Sequence, residues 1–509
     1  MEINLDNKEY QYALNLIKNT NQTFFLTGKA GTGKSTFLKH ITNTVSKEFV
    51  VLAPTGIASV NVKGMTINSF FLFPLRPLLH NDSGIKRFPK GSEKRELIEV
   101  MDTLIIDEIS MVRADIIDAI DCSLRKNGGD ENLPFGGKQV VFVGDVFQLE
   151  PVASKKSGEQ EIINQLYNNP YFFNARVFEK IKFFTIELLK VYRQNDTDFI
   201  NLLDKVRINE TANTDLIKLN NRLITSADLK SKEYIITLST TNEIANDVNQ
   251  QKLAEINNIK YIYEAEITGV FETNRYPTDI ELNLKVGAQI IFIKNDSYKR
   301  WFNGTIGKVK HLSDEEITII LENGDYYTLE KVIWENTKYK FNRILNKIES
   351  EVTGTFEQYP LKLAWAITIH KSQGLTFDKI IIDFGRGTFA YGQAYVALSR
   401  VRTINGLFLK RKIVTSDISV NEAVKEFAKS FNDDKAIKEY INYNIESPDE
   451  KKIVQNIFIQ NPDLFVQLIT DYFPNYIDNA KIIVKEIFIK NPALFIDLLS
   501  HYQLSSLPK

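Results

Sequence analysis

The stretch LTGKAGTGKST at residues 26–36 restricts the fold more than any other part of the sequence. Gly28, Gly33, Lys34 and Ser35 satisfy the spacing G-x-x-x-x-G-K-[ST], with Gly31 inside the loop. Before it, Phe24, Phe25 and Leu26 make a short apolar strand; after it, Phe37, Leu38, Ile41 and Val45 recur at helical spacing. Strand, loop and helix in that order let glycine amides turn inward at a helix N-terminus and hold phosphates. Lys34 then reaches the outer phosphates and the Ser35 hydroxyl ligates Mg²⁺, so the expected cofactors are a nucleoside triphosphate, ATP, and magnesium.

Two later strands extend the same site. The run TLIIDEIS at 103–110 is a buried strand closing on two carboxylates. Asp107 is placed to hold the metal and Glu108 to orient or deprotonate the attacking water. A third strand, KQVVFVGDVFQLEPV at 138–152, ends in Gly144, Asp145 and Gln148, where a polar group can touch the terminal phosphate.

The rest of the composition bounds what the triphosphate can drive. With 509 residues the chain divides into about three or four domains. Its 63 Lys+Arg against 64 Asp+Glu leave no global basic field, so any nucleic-acid contact is local and groove-like. One cysteine, Cys122, and five scattered histidines exclude a disulfide framework or a cysteine-rich metal site. No signal or transit pattern opens the sequence and no apolar run approaches the ~18 residues of a span, so the expectation is a cytoplasmic protein without membrane contact.

Further motifs stand in a fixed order: APTGIASVNVKGMTINSFF (53–71), DEISMV (107–112), GDVFQLEPV (144–152), LLKVYRQ (188–194), LAWAITIHKSQGLTFD (363–378) and AYVALSRVR (394–402). In this the sequence resembles the petite-integration-frequency (Pif) helicases, the 5′-to-3′ branch of the first helicase superfamily, over some four-fifths of its length. The resemblance implies an α/β protein of two tandem RecA-like P-loop motor domains, an ATP-dependent DNA helicase that moves 5′ to 3′ on single strands. It keeps the roles of Lys34, Ser35, Asp107 and Glu108, makes Gln148 the phosphate sensor, and makes Arg193 and Arg400 the arginines that reach in from the second motor domain. Thr36 and Gly374 complete the nucleotide contacts, and Gln11 is the adenine-reading glutamine, with Tyr10 the alternative occupant of that slot. Thr55, Thr66, Phe70, Thr368, His370 and Ser372 resemble the family's DNA-facing set. Glu150 and Phe377 depart from the family pattern without removing a catalytic group.

The domain boundaries follow. The resemblance makes residues 1–190 the first motor domain, and the proline- and lysine-containing 72–96 either the wedge-like insertion that splits the duplex in such helicases or a simple surface loop. Residues 191–298 and 352–430 form the second. Alternation and the turns NGTIG and ENGD make 299–351 a small inserted antiparallel barrel, similar to the family's Src-homology-like one. At the C-terminus, IVQNIFIQNPDLFVQLI (453–469) recurs as IVKEIFIKNPALFIDLL (483–499), so 445–509 reads as a helical module of two 30-residue repeats. A protein-partner site and a plain structural extension are both open for it. Two rival readings of the whole are a partner-binding nucleotide switch that unwinds nothing and the helicase subunit of a recombination nuclease.

Overall fold

The computed structural model describes residues 7–74, 76–79, 82–151, 159–192, 196–225, 233–342 and 347–446. Its first sheet is built from β1 (Phe24–Gly28), β2 (Phe49–Ala53), β3 (Met65–Thr66), β4 (Thr103–Ile106), β5 (Gln139–Gly144) and β6 (Phe184–Leu188), in the order β3-β2-β4-β5-β1-β6. All neighbours are parallel. Every residue of β1, β4 and β5 is buried. This is why these runs lack polar alternation: helices cover a parallel sheet on both faces. The register sets Thr27 of β1 beside Gly144 of β5, so the loops leaving both strands open at one edge. From β1 the chain passes through the glycine loop into α1 (Lys34–Thr44).

A second parallel sheet follows helix α2 (Thr197–Ile208). Its first strand is β7 (Ile236–Ser239). Between β7 and the next strand of that sheet, the chain makes an antiparallel excursion: β8 (Lys260–Glu264), β9 (Glu266–Gly269), β10 (Glu281–Lys285), β11 (Gln289–Phe292), β12 (Ile306–Leu312), β13 (Ile317–Leu321), β14 (Tyr326–Leu329), β15 (Val332–Asn342), β16 (Lys347–Gln358) and β17 (Leu361–Leu363). It then returns through β18 (Ala366–Thr368), β19 (Ile380–Asp383), helix α3 (Gln393–Leu398) and β20 (Leu407–Leu409), giving the order β18-β7-β19-β20.

The antiparallel excursion is wider than the 299–351 expected from its turns. A five-stranded sheet, β14-β13-β12-β11-β17, takes β11 and β17 from outside that range, while β15 pairs with β16 and β16 with β9 in a sheet of their own. The reason is that β11 reads QIIF, an apolar run that sequence pattern cannot tell from a buried parallel strand. Trp301, Leu284, Ile290, Phe292, Ile319 and Leu361 form a separate core for this region.

Residues 72–96 contain no strand among those described. Buried Phe73, Leu78, Ile85 and Phe88 anchor them in the first core, and Arg76 forks onto Asp82 at 2.7 Å. The C-terminal repeats lie outside the described residues; before them, helix Asp434–Glu446 belongs with residues 14–20 to a second compact unit. No helix of the described residues is long and apolar enough to cross a membrane.

Candidate nucleotide site and its surroundings

The glycine loop requires its glycines. At Gly28 (φ 152°) an added Cβ would lie 2.6 Å from the Thr32 hydroxyl and 2.9 Å from the Leu188 carbonyl. Gly33 caps α1 in the left-handed region, φ 91°, where a side chain is strained. Lys34 folds back, donating to the Gly28 carbonyl at 2.6 Å and the Lys29 carbonyl at 3.1 Å. Burial pulls its ammonium below the ordinary pKa, against the attraction of Asp145 and Glu108.

A cavity of about 290 Å³ opens above the loop. Gly31, Gly33, Lys34, Ser35 and Thr36 line one side; Asp107, Glu108, Asp145 and Gln148 close the other. Gly374 and Arg400 reach it from the second sheet's half of the chain. Residues separated by more than 360 positions in sequence thus share one cleft. Arg193 lies outside the described residues; its neighbour Tyr192 lines the cavity and donates its amide to the Gly31 carbonyl at 2.9 Å.

The two acids are chain neighbours and both half-buried. Burial, and then Glu108, pushes the Asp107 carboxyl up to about 7, although Asp107 accepts the Glu108 amide at 2.9 Å. Glu108 itself sits at φ 51°, ψ 44°, uncommon for a residue with a side chain. Ser35 and this acidic pair offer only hard oxygen donors, the chemistry of Mg²⁺ rather than of a softer metal. Among the described residues no cluster of three or more His, Cys, Asp or Glu is gathered that could hold a metal.

Gln148 accepts from the Gln373 amide at 3.3 Å. Arg400 is fully buried, its guanidinium donating to the Val396 carbonyl (2.9 Å) and the Ser399 hydroxyl (2.8 Å). Burial lowers its pKa, opposed by Tyr395, Glu108 and Asp145, and a guanidinium stays charged regardless.

Three residues around this cleft, Arg207, Tyr395 and Gly392, were not singled out from the sequence, and a fourth, Tyr10, stood there only as the alternative to Gln11. Tyr10, not Gln11, is set against the loop: its ring packs edge-on to Phe37 and its hydroxyl donates to the Gly33 carbonyl at 3.1 Å. The Gln11 side chain is exposed, one position further along the same helix. Behind Asp145 lies buried Arg207 of α2, donating to Asp145 at 3.0 Å and to Glu187 at 2.9 Å over the face of Phe147. Burial works against its charge, but Asp145, Tyr395 and Glu187 more than offset that and raise its pKa. Tyr395 and Gly392 of the α3 region complete the set. Tyr395 stood inside a quoted motif; Arg207 sits in an unremarkable helix, and nothing in its pattern marks it as buried.

The DNA-facing candidates divide. Thr55 is half-buried and caps helix Gly56–Asn61 by accepting from the Ala58 amide. Thr66 is buried and caps the next helix through the Ser69 amide. Phe70 is a correction: its ring is fully buried, 4.8 Å from Phe71, with the Lys94 ammonium 4.5 Å above it. It offers no face to a base, because the helix it sits on turns that side into the core. Thr368 and Ser372 are also buried, Ser372 donating to the Ile369 carbonyl at 2.7 Å. His370 is half-buried, with its pKa lowered by burial, and lies parallel to Phe389 at 6.4 Å. Phe389 is 66% exposed, the aromatic that sequence reading passed over.

The chain is similar to known proteins. A family model described as a PIF1-like helicase matches residues 5–216, and one described as a helicase matches residues 331–437. The ATP-dependent DNA helicase Pif1 of Bdellovibrio bacteriovorus is 32% identical over 407 residues, 79% of this chain and 87% of its own length. Among solved structures, Bacteroides sp Pif1 in complex with ADP-AlF4 is 40% identical with a TM-score of 0.78, covering 84% of this chain and 97% of that one. Bacteroides Pif1 bound to ssDNA has the same identity and coverage with a TM-score of 0.60.

Proposed function

The chain belongs to the PIF1-like helicase family, and on that premise we propose how its cleft drives an ATP-dependent DNA helicase. The carrying observation is that Lys34, Gln148 and Arg400, far apart in sequence, line one cavity. Loop amides and Lys34 bind the phosphates, and Glu108 orients the water that attacks the terminal one. Ser35 and Asp107 would hold Mg²⁺, which when bound neutralises phosphate charge. Arg400, joined by Arg193, offsets the charge that develops on the transferred phosphoryl group, a task suited to a planar, permanent cation.

Single-stranded DNA is the track, as in the ssDNA-bound Bacteroides relative. Thr55 and His370, with exposed Phe389 beside it, are the described groups best placed to meet phosphates and bases. Nucleotide favours a closed cleft by touching both halves, and loss of phosphate releases it; alternating grip then moves the strand, 5′ to 3′, toward duplex or fork junctions met by residues 72–96. The test is ATP hydrolysis with and without an oligonucleotide. Single-stranded DNA should stimulate it, Lys34→Ala should abolish it, and an unstimulated rate would leave only a nucleotide switch.

A further inference from the structure

Helix α3, which leads into Arg400, is keyed to the turn that carries Gln148. At its N-cap, Gly392 adopts φ 73°, and a Cβ there would lie 2.4 Å from the Phe147 carbonyl oxygen and 2.5 Å from that of Gln148. Backbone therefore rests on backbone, with no side chain to yield. One turn on, buried Tyr395 donates its hydroxyl hydrogen to Asp145 Oδ2 at 3.2 Å and accepts the Ala30 amide of the phosphate loop at 3.4 Å. Asp145 Oδ1 is taken by Arg207. The turn from Asp145 to Gln148 thus has a buried charged anchor on its own side and α3 on the other. Burial makes each of these polar contacts costly to lose.

We propose that Gly392 and Tyr395 are positioning residues for turnover, through which a shift of the Gln148 turn is passed to α3 and so to Arg400. Neither touches the reacting phosphate; both fix where Arg400 stands relative to the phosphate loop. The proposal rests on the reading of Gln148 as the residue at the terminal phosphate.

The test uses the full chain carrying Tyr395→Phe, which keeps the ring and deletes only the hydroxyl. Steady-state hydrolysis is measured against ATP and against a dT oligonucleotide, with nucleotide-free oligonucleotide binding measured beside it. The expected result is a fall of about tenfold in DNA-saturated kcat, with KM for ATP and oligonucleotide affinity kept within about twofold. Gly392→Ala should give the same split, since its methyl pushes α3 off the Gln148 carbonyl; if it does not fold, Tyr395→Phe decides alone. Wild-type kcat in Tyr395→Phe, or a loss carried by KM, overturns the proposal. Gln148→Ala separates the two layers: if it keeps DNA-stimulated turnover, the reading of Gln148 fails. If it loses turnover while Tyr395→Phe does not, the positioning role alone fails.

Discussion

The Tyr10 hydroxyl donates to the Gly33 carbonyl, joining helix Lys8–Asn19 to the residue that caps the phosphate-binding helix. A phenol pinned there has no donor–acceptor pair free to read the edge of adenine. Tyr10→Phe should raise KM for ATP by about three- to tenfold, the worth of one neutral hydrogen bond, whereas Gln11→Ala should change it by less than about twofold. GTP should support hydrolysis. Rates titrated against each nucleotide check all three.

Arg400 is held by four acceptors, two of them close, in a geometry that only a guanidinium fork matches. Arg400→Lys and Arg400→Ala should both lower kcat by about a thousandfold, the lower range for an arginine at a transferring phosphoryl group. Nucleotide binding by the same variants, followed with a fluorescent analogue, should persist.

Phe70 and Phe389 should part in opposite directions. Phe70→Ala empties core volume and should cost about 3–5 kcal/mol of stability, read in denaturant, with little change in the DNA affinity of the folded protein. Phe389→Ala removes an exposed ring and should weaken single-strand affinity by the ~1–3 kcal/mol of one base stack, with unfolding unchanged.

The Arg76–Asp82 fork fastens the 72–96 segment. The Arg76 hydrogen bond holds the Asp82 carboxyl well below its ordinary 3.8, despite burial acting the other way. A depressed carboxyl stabilises fully above its unfolded value and loses that contribution as pH falls through the folded one. The segment should therefore resist proteolysis evenly from neutral pH down to about 4 and loosen only in stronger acid. Asp82→Asn should be cleaved faster across the whole range.

How much of this was legible in the sequence depended on whether the signal was contiguous. The glycine loop, the Asp107–Glu108 pair and the parallel strands around them are local patterns, and the cleft assembles them as their spacing implies. Phe70 misled because a polar-aromatic motif does not reveal which side of a short helix turns inward. Arg207 carried no signal at all: its partners, Asp145 and Glu187, close around it only once β5, β6 and α2 pack. The limits of the antiparallel region were hidden for a related reason, since the apolar QIIF of β11 has one pattern and two compatible pairings.

The most direct measurement is strand displacement on duplexes bearing either a 5′ or a 3′ single-stranded tail, with ATP present or omitted. Unwinding of the 5′-tailed duplex alone, dependent on ATP and lost in Lys34→Ala, is the predicted result. Unwinding of neither duplex, or unwinding that survives Lys34→Ala, would contradict a DNA motor driven from this cleft.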